Sequence, residues 1–136
     1  MRRITLLIFA PLLLSGCKKT IQRIQENRIM DAMTSGQWKV VSFSHNGTSR
    51  TAEFSAYVFQ FYKSKTVDAI QGPATEKTGV WEGDAENRTI MASFQNVAEP
   101  LILLNGTWKI DKNSWTYVEA SIHITGDIRK LRLEKL

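Results

Sequence analysis

Apolar positions along this chain follow three rhythms in succession. From Ile4 to Leu14 they form an uncharged run of eleven residues, preceded by Arg2-Arg3 and followed by Lys18-Lys19. From Lys18 to Met33 the apolar residues Ile21, Ile24, Ile29, Met30 and Met33 spread over about half the circle at helical spacing. Good helix formers surround them, and Thr34-Ser35-Gly36 supplies a stop. This stretch is predicted as a weakly amphipathic helix, a tether whose last turn docks on the folded domain. Beyond Gly36 the rhythm becomes alternation, with turn signals about every ten residues, as in an all-β meander closed as a barrel or sandwich.

Eight strands are predicted in sequential antiparallel order. The first is Gln37 to Ser44, ended by Asn46-Gly47, a hairpin signal because both residues tolerate positive φ. The second, Phe54 to Tyr62, places Tyr57, Phe59 and Phe61 on one face, and Lys63-Ser64-Lys65 turns it into a third, Thr66 to Gln71. Gly72-Pro73 precedes a fourth, Thr78 to Gly83, with Gly79, Trp81 and Gly83 opposite Val80 and Glu82. After the polar turn Asp84-Ala85-Glu86-Asn87, Ile90, Ala92 and Phe94 alternate with Thr89, Met91 and Ser93. The piece Asn96 to Leu104 fits a short helix, a lid or the start of a strand equally well, since period alone does not arbitrate a short apolar run. Alternation resumes in Gly106 to Asp111, Trp115 to Ile122 and Ile128 to Glu134. Eight strands make a barrel just wide enough to be filled by side chains or to hold one small ligand.

The amino-terminal run changes the picture of where the barrel sits. Its charge and length are those of a signal peptide, and it falls well short of the roughly 20 apolar residues of a membrane-spanning helix. Leu14-Ser15-Gly16-Cys17 ends it with small residues just before the chain's single cysteine. This resembles the bacterial lipoprotein signal, or lipobox, at all four positions. The resemblance implies cleavage after Gly16 and acylation of the Cys17 sulfur with diacylglycerol, usually with a further palmitate-type chain on the new amino group. A multi-chain anchor is stable where one chain is marginal. The expected organisation is therefore a leader at 1–16, an acylated cysteine with tether at 17–33, and one barrel at 34–136. No free thiol would remain for disulfides or catalysis. By the same resemblance Lys18, where an Asp would signal retention in the inner membrane, favours the outer membrane facing the periplasm.

Without Arg2 and Arg3, Lys plus Arg falls from 18 to 16 against 13 acids, a formal charge of +3. So small an excess, spread among acids, gives no case for nucleic-acid binding, which would want a basic stripe with aromatic platforms. Lys18, Lys19 and Arg23 precede the first acid of the tether, Glu26, and basic residues beside an acyl anchor contribute about 1 kcal/mol each against anionic head groups.

Gly36-Gln37-Trp38, after a short helix and at the head of the first strand, looks like the Gly-x-Trp opening of the lipocalins. Residues 34–136 are similar as a whole to the small lipocalin-like domains of bacterial lipoproteins. The resemblance implies an eight-stranded up-and-down barrel, with Trp38 at the closed end and a basic residue of the last strand, Arg129 or Arg132, packed across it. The Thr-Asp-Tyr pattern of larger lipocalins is absent, and the domain is shorter than theirs.

Candidate chemistry is sparse. His45 and His123 are 78 positions apart, so no metal site is expected, and no nucleophile-elbow motif supports a catalytic triad. No cofactor and no enzymatic activity are expected. Asp68, Glu82 and Glu119 read as solvated outer-face acids, and Gly79 and Gly83 as barrel bends. The aromatic set, Trp38, Tyr57, Phe59, Phe61, Trp81, Phe94, Trp108 and Trp115, either lines a pocket or fills the interior. The expected function is a lipid-anchored envelope protein that sequesters a small apolar or amphipathic ligand, with Tyr57, Phe59, Phe61, Trp81 and His45 as candidate contacts. The alternative is a filled barrel that contacts another envelope protein through its outer surface or open-end loops.

Overall fold

The computed structural model of the chain describes the backbone from Leu14 to Leu136 and the side chains from Lys19 onward. The expected leader up to Leu13 and the side chain of Cys17 lie outside the described residues. Helix α1 spans Leu14–Thr34, and its Thr34 hydroxyl donates back to the Met30 carbonyl in the last turn. Nine strands follow: β1 Gln37–His45, β2 Thr48–Ser49, β3 Tyr57–Phe61, β4 Thr66–Gln71, β5 Ala74–Asp84, β6 Thr89–Ser93, β7 Gly106–Asn113, β8 Tyr117–Ile124 and β9 Asp127–Lys135. The two-residue β2 only extends the β1 hairpin, through Asn46 and Gly47 at φ 49° and 80°. The other eight pair in sequence order, all antiparallel. β1 then pairs with β9 from Trp38↔Lys135 to His45↔Arg129, which closes the sheet into an up-and-down barrel, as the alternation predicts.

Two boundaries differ from expectation for local reasons. The second strand starts at Tyr57 because Thr51–Phe54 form a 3-10 turn, which places Phe54 against Phe43 at 4.9 Å between ring centroids. β5 begins at Ala74 because the Gly72-Pro73 turn is tight, with Gly72 at φ 56°, and pairs Gln71 directly with Ala74. Its first residues, 74–78, are all exposed, so they carry no alternation to read. The ambiguous segment Asn96 to Leu104 contains a second 3-10 turn at Leu101–Leu104.

Inward positions obey the two-residue period. Tyr57, Phe59 and Phe61 of β3, Val67 and Ala69 of β4, and Val118, Ala120 and Ile122 of β8 are buried. Gly79 and Gly83, expected as bends, are places of close approach. A Cβ on Gly79 would lie 2.6 Å from the Ser93 carbonyl oxygen, and one on Gly83 would lie 2.8 Å from the Ile29 side chain of α1. Gly83 is thus where the helix lands on the barrel.

The strand directions define two ends. At the tether end lie α1, the turns 62–65, 85–88 and 114–116, and the last residues of β9. The distal end holds the tip of the β1 hairpin, the turns at 72–73 and 125–126, and the segment 94–105.

Candidate functional site

Trp38 is wholly buried at the tether end, and its indole Nε1–H donates to the Met33 carbonyl at 2.9 Å. Met33 is buried with it and enters the barrel bottom from the last turn of α1. The cation over Trp38 is Lys135, at 5.1 Å from the ring centroid, and not Arg129 or Arg132. The reason is register: Lys135 is the residue opposite Trp38, whereas Arg129 stands opposite His45 at the other end of β9. Arg132 points outward, 4.3 Å over Tyr117, and pairs with Glu119 and Glu134. Gly36 lies against the Lys135 stem, where a Cβ would meet it at 3.3 Å. The Lys135 ammonium donates to Ser35 Oγ at 2.7 Å, and burial holds its pKa below the ordinary lysine value.

The distal end is capped by the chain itself. Phe54 enters from the first 3-10 turn, and Leu101, Leu103 and Leu104 from the second. Three polar groups fasten the second turn. Arg129, 8% exposed, donates through Nη1 to the carbonyls of Leu103 at 2.6 Å and Asn105 at 2.8 Å. The Asn105 side chain bonds both the N–H and the C=O of Phe94, and Trp108 donates its indole N–H to the Leu104 carbonyl at 2.8 Å. Asp127 accepts from Arg129 Nη2 at 3.1 Å, while Arg129 Nε lies 3.1 Å from its other oxygen without hydrogen-bond alignment. The guanidinium also lies 5.6 Å over the Trp108 ring.

Between the two closures the interior is nearly full. The residual cavity measures about 50 Å³ and is lined only by apolar side chains, among them Phe59, Phe61, Phe94 and Trp108. Pockets that take small molecules run to roughly 300–1,000 Å³, so the cavity holds nothing of that size as it stands. Tyr57, Phe59, Phe61 and Trp81, the candidate ligand contacts, are all buried core residues. Phe61 and Trp81 meet edge to face at 5.3 Å, Tyr57 and Phe59 stack at 6.1 Å, and the Trp81 N–H is taken up by the Tyr62 carbonyl. Burial, reinforced by a hydrogen bond to Glu76, pushes the Tyr57 phenol up to about 12. Among the eight aromatics singled out in the sequence, Trp115 stands apart: it sits in the β7–β8 turn, exposed and beside Lys135.

His45 lies outside this interior, on the distal rim, with Nε2 3.1 Å from Asp127 Oδ1. No hydroxyl or thiol bonds it among the described residues. His123 is exposed on the wall of β8 opposite Ile128. Among the described residues no group of three or more His, Cys, Asp or Glu side chains gathers as a metal site, and no helix is long and apolar enough to cross a membrane. The outer-face acids are paired: Asp68 accepts from Tyr62 and Thr78, Glu82 from Lys65, and Glu119 from Arg132. Sequence reasoning missed Arg129 as a distal clamp and Lys135 as the tether-end cation, because both roles depend on β1–β9 register.

The fold and its closures define a small closed up-and-down barrel with a helical lead-in. No protein-family model matches the chain, and no curated protein matches it. Among solved structures it is similar to the crystal structure of a DUF4847 family protein from Bacteroides vulgatus ATCC 8482, with a TM-score of 0.57 and 16% sequence identity. The match covers 78% of this chain and 96% of that one. Likeness at that level of identity establishes the shared fold.

Proposed function

We propose that this chain is a lipid-anchored protein of the cell envelope whose filled barrel is a rigid scaffold for contact with another envelope protein. One observation carries the reading: the interior, capped at both ends, leaves about 50 Å³, so recognition falls to the surface. Cys17 is the acylation site, and the outer membrane facing the periplasm is the location. The contact is assigned to the distal rim, away from the tether. There Ile102, Ile124 and Ile128 are 47%, 59% and 43% exposed. Ile102 and the His45–Asp127 pair also line an open depression of about 410 Å³ at this end. Exposed apolar side chains rimmed by fixed polar groups are the composition of a protein-binding patch. The reading assigns the protein binding and no catalysis.

A photo-cross-linking residue placed in cells at Ile102 or Ile124 should capture a specific partner, while one at Thr107 on the barrel wall should not. Equal capture at all three positions, or none, refutes the distal contact. Sequestration of an apolar ligand is tested on the same protein with fatty acids, retinoids, haem and a fluorescent apolar probe. Saturable micromolar binding would reinstate that reading and require the distal cap to open. Cys17→Ser should release the protein from the membrane fraction; retention there would count against the anchor.

A further inference from the structure

A groove of about 460 Å³ runs along the tether end, between one side of α1, the end of β7 and the turns at 85–88 and 114–116. Arg28 of α1 and Arg88 of the β5–β6 turn line it together with Asn113, Ser114, Ile29 and Trp115, and no carboxylate does. Neither arginine has an acidic partner among the described residues, whereas Arg50, Arg129 and Arg132 each hold at least one. Beside the turn at 62–65 the helix end is different in kind: there Lys63 lies 3.5 Å from Asp31 of α1 and Lys65 lies 2.8 Å from Glu82 of β5. Cations are matched at that turn and left unmatched in the groove.

Exposed apolar groups share this end. Trp115, 54% exposed, borders the groove, Leu136 ends the chain nearby, and Ile21 and Ile24 are exposed on the projecting part of α1. Lys19 and Arg23 of that same part also lack acidic partners among the described residues. Tryptophan at the edge of a cationic, partly apolar surface is suited to the boundary between head groups and acyl chains. The direction of the chain selects the occupant, since α1 leads from this end back to Cys17, the anchor position.

We propose that the tether end of the barrel docks on the bilayer that anchors it, with the phosphate of an anionic lipid head group held between Arg28 and Arg88 and Trp115 inserted at the interface. The inference rests on the lipid-anchor reading above. It makes the barrel lie against the membrane and fixes which way its distal rim faces.

The test uses acylated protein in phosphatidylcholine vesicles, with or without phosphatidylglycerol, in which the acyl chains carry bromine as a fluorescence quencher. Trp38, Trp81 and Trp108 are buried in the barrel, so Trp115 is the tryptophan the bromine reaches. Quenching should be several-fold stronger with phosphatidylglycerol, should weaken in high salt, and should vanish in Trp115→Phe. Arg28→Gln with Arg88→Gln should reduce it to the phosphatidylcholine level while leaving the near-ultraviolet circular dichroism unchanged. Quenching equal in both vesicles, or none in protein shown to be membrane-bound, overturns the proposal. So does a double variant that loses a co-purifying acidic protein while its vesicle quenching stays the same. The anchor is read separately, from the mass of the protein. If no acyl chain is present the anchor reading fails, and the same quenching measured on unacylated protein with added vesicles still decides the docking.

Discussion

At the tether end the barrel is closed by an element from outside it: α1 brings in Met33 and covers Trp38, with one indole hydrogen bond and the Lys135 stem completing the contact. At the distal end the barrel is closed by its own loops, and a buried arginine ties them down through two carbonyls and a carboxylate. The first closure is mainly apolar packing, which relaxes when a side chain is trimmed. The second is a polar network, buried at Arg129 and open to solvent at Asp127, where removing the arginine leaves buried carbonyls unsatisfied. The same task at two ends of one barrel therefore has different tolerance to change.

Arg129→Met breaks the distal closure most directly. It leaves the Leu103 and Asn105 carbonyls without their side-chain donor, at about 1–3 kcal/mol for each acceptor left buried and unsatisfied, while Asp127, 37% exposed, keeps its His45 contact. Urea denaturation should show that loss, and limited proteolysis should show new cleavage within residues 94–105. A cost under about 1 kcal/mol, typical of a solvent-exposed pair, would mean that the clamp is ornamental.

Met33→Ala probes the other end. Trimming a buried Met costs about 2–5 kcal/mol, and the low end is expected here because α1 is free to settle toward the barrel. If this variant were less stable than Arg129→Met, the contrast between the two closures would be reversed. Gly83→Ala sharpens the same point: its methyl would meet Ile29 at 2.8 Å, and overpacking costs about 1–3 kcal/mol unless the helix shifts away. Hydrogen exchange should then rise in α1 and stay unchanged in residues 94–105.

Much of this architecture was legible from alternation and turn chemistry. Asn46-Gly47 and Gly72-Pro73 marked tight turns, and the faces of Tyr57, Phe59, Phe61 and Trp81 follow from the two-residue period. The features that stayed hidden depend on register and on the third dimension. Face assignment says that Arg129 and Lys135 both belong to β9, but only the pairing with β1 puts one under the distal cap and the other across Trp38. In Leu101 to Leu104 three residues turn inward and Ile102 outward, a 3-10 spacing that a continuous apolar run conceals. Nor does an aromatic count separate a lined pocket from a filled one. The answer lies in the caps, and Phe54, Leu101 and Leu103 sit in turns where no period reveals their direction. Arg28 and Arg88 are 60 positions apart, so their shared groove has no signature in the sequence.

The smallest expected effect is a titration at the distal end. Tyr57 lies at the start of β3, paired with Gln71 beside the β4–β5 turn, and its folded pKa is raised from 10.0 to about 12 by burial and by the Glu76 hydrogen bond. Between those two values the folded state keeps the phenolic proton while the unfolded chain releases it. The native state therefore binds more protons there, and stability falls as pH rises. The contribution is fully present below pH 10.0 and is lost toward about 12, at a slope of at most about 1.4 kcal/mol per pH unit. Tyr57→Phe has no proton to lose, so its stability curve should be flatter over that interval, although surface groups still titrate. Urea midpoints measured at pH 9, 10 and 11 test this, and equal slopes for the two proteins would mean that the Tyr57 hydroxyl is solvated and the distal cap looser than its arginine clamp implies.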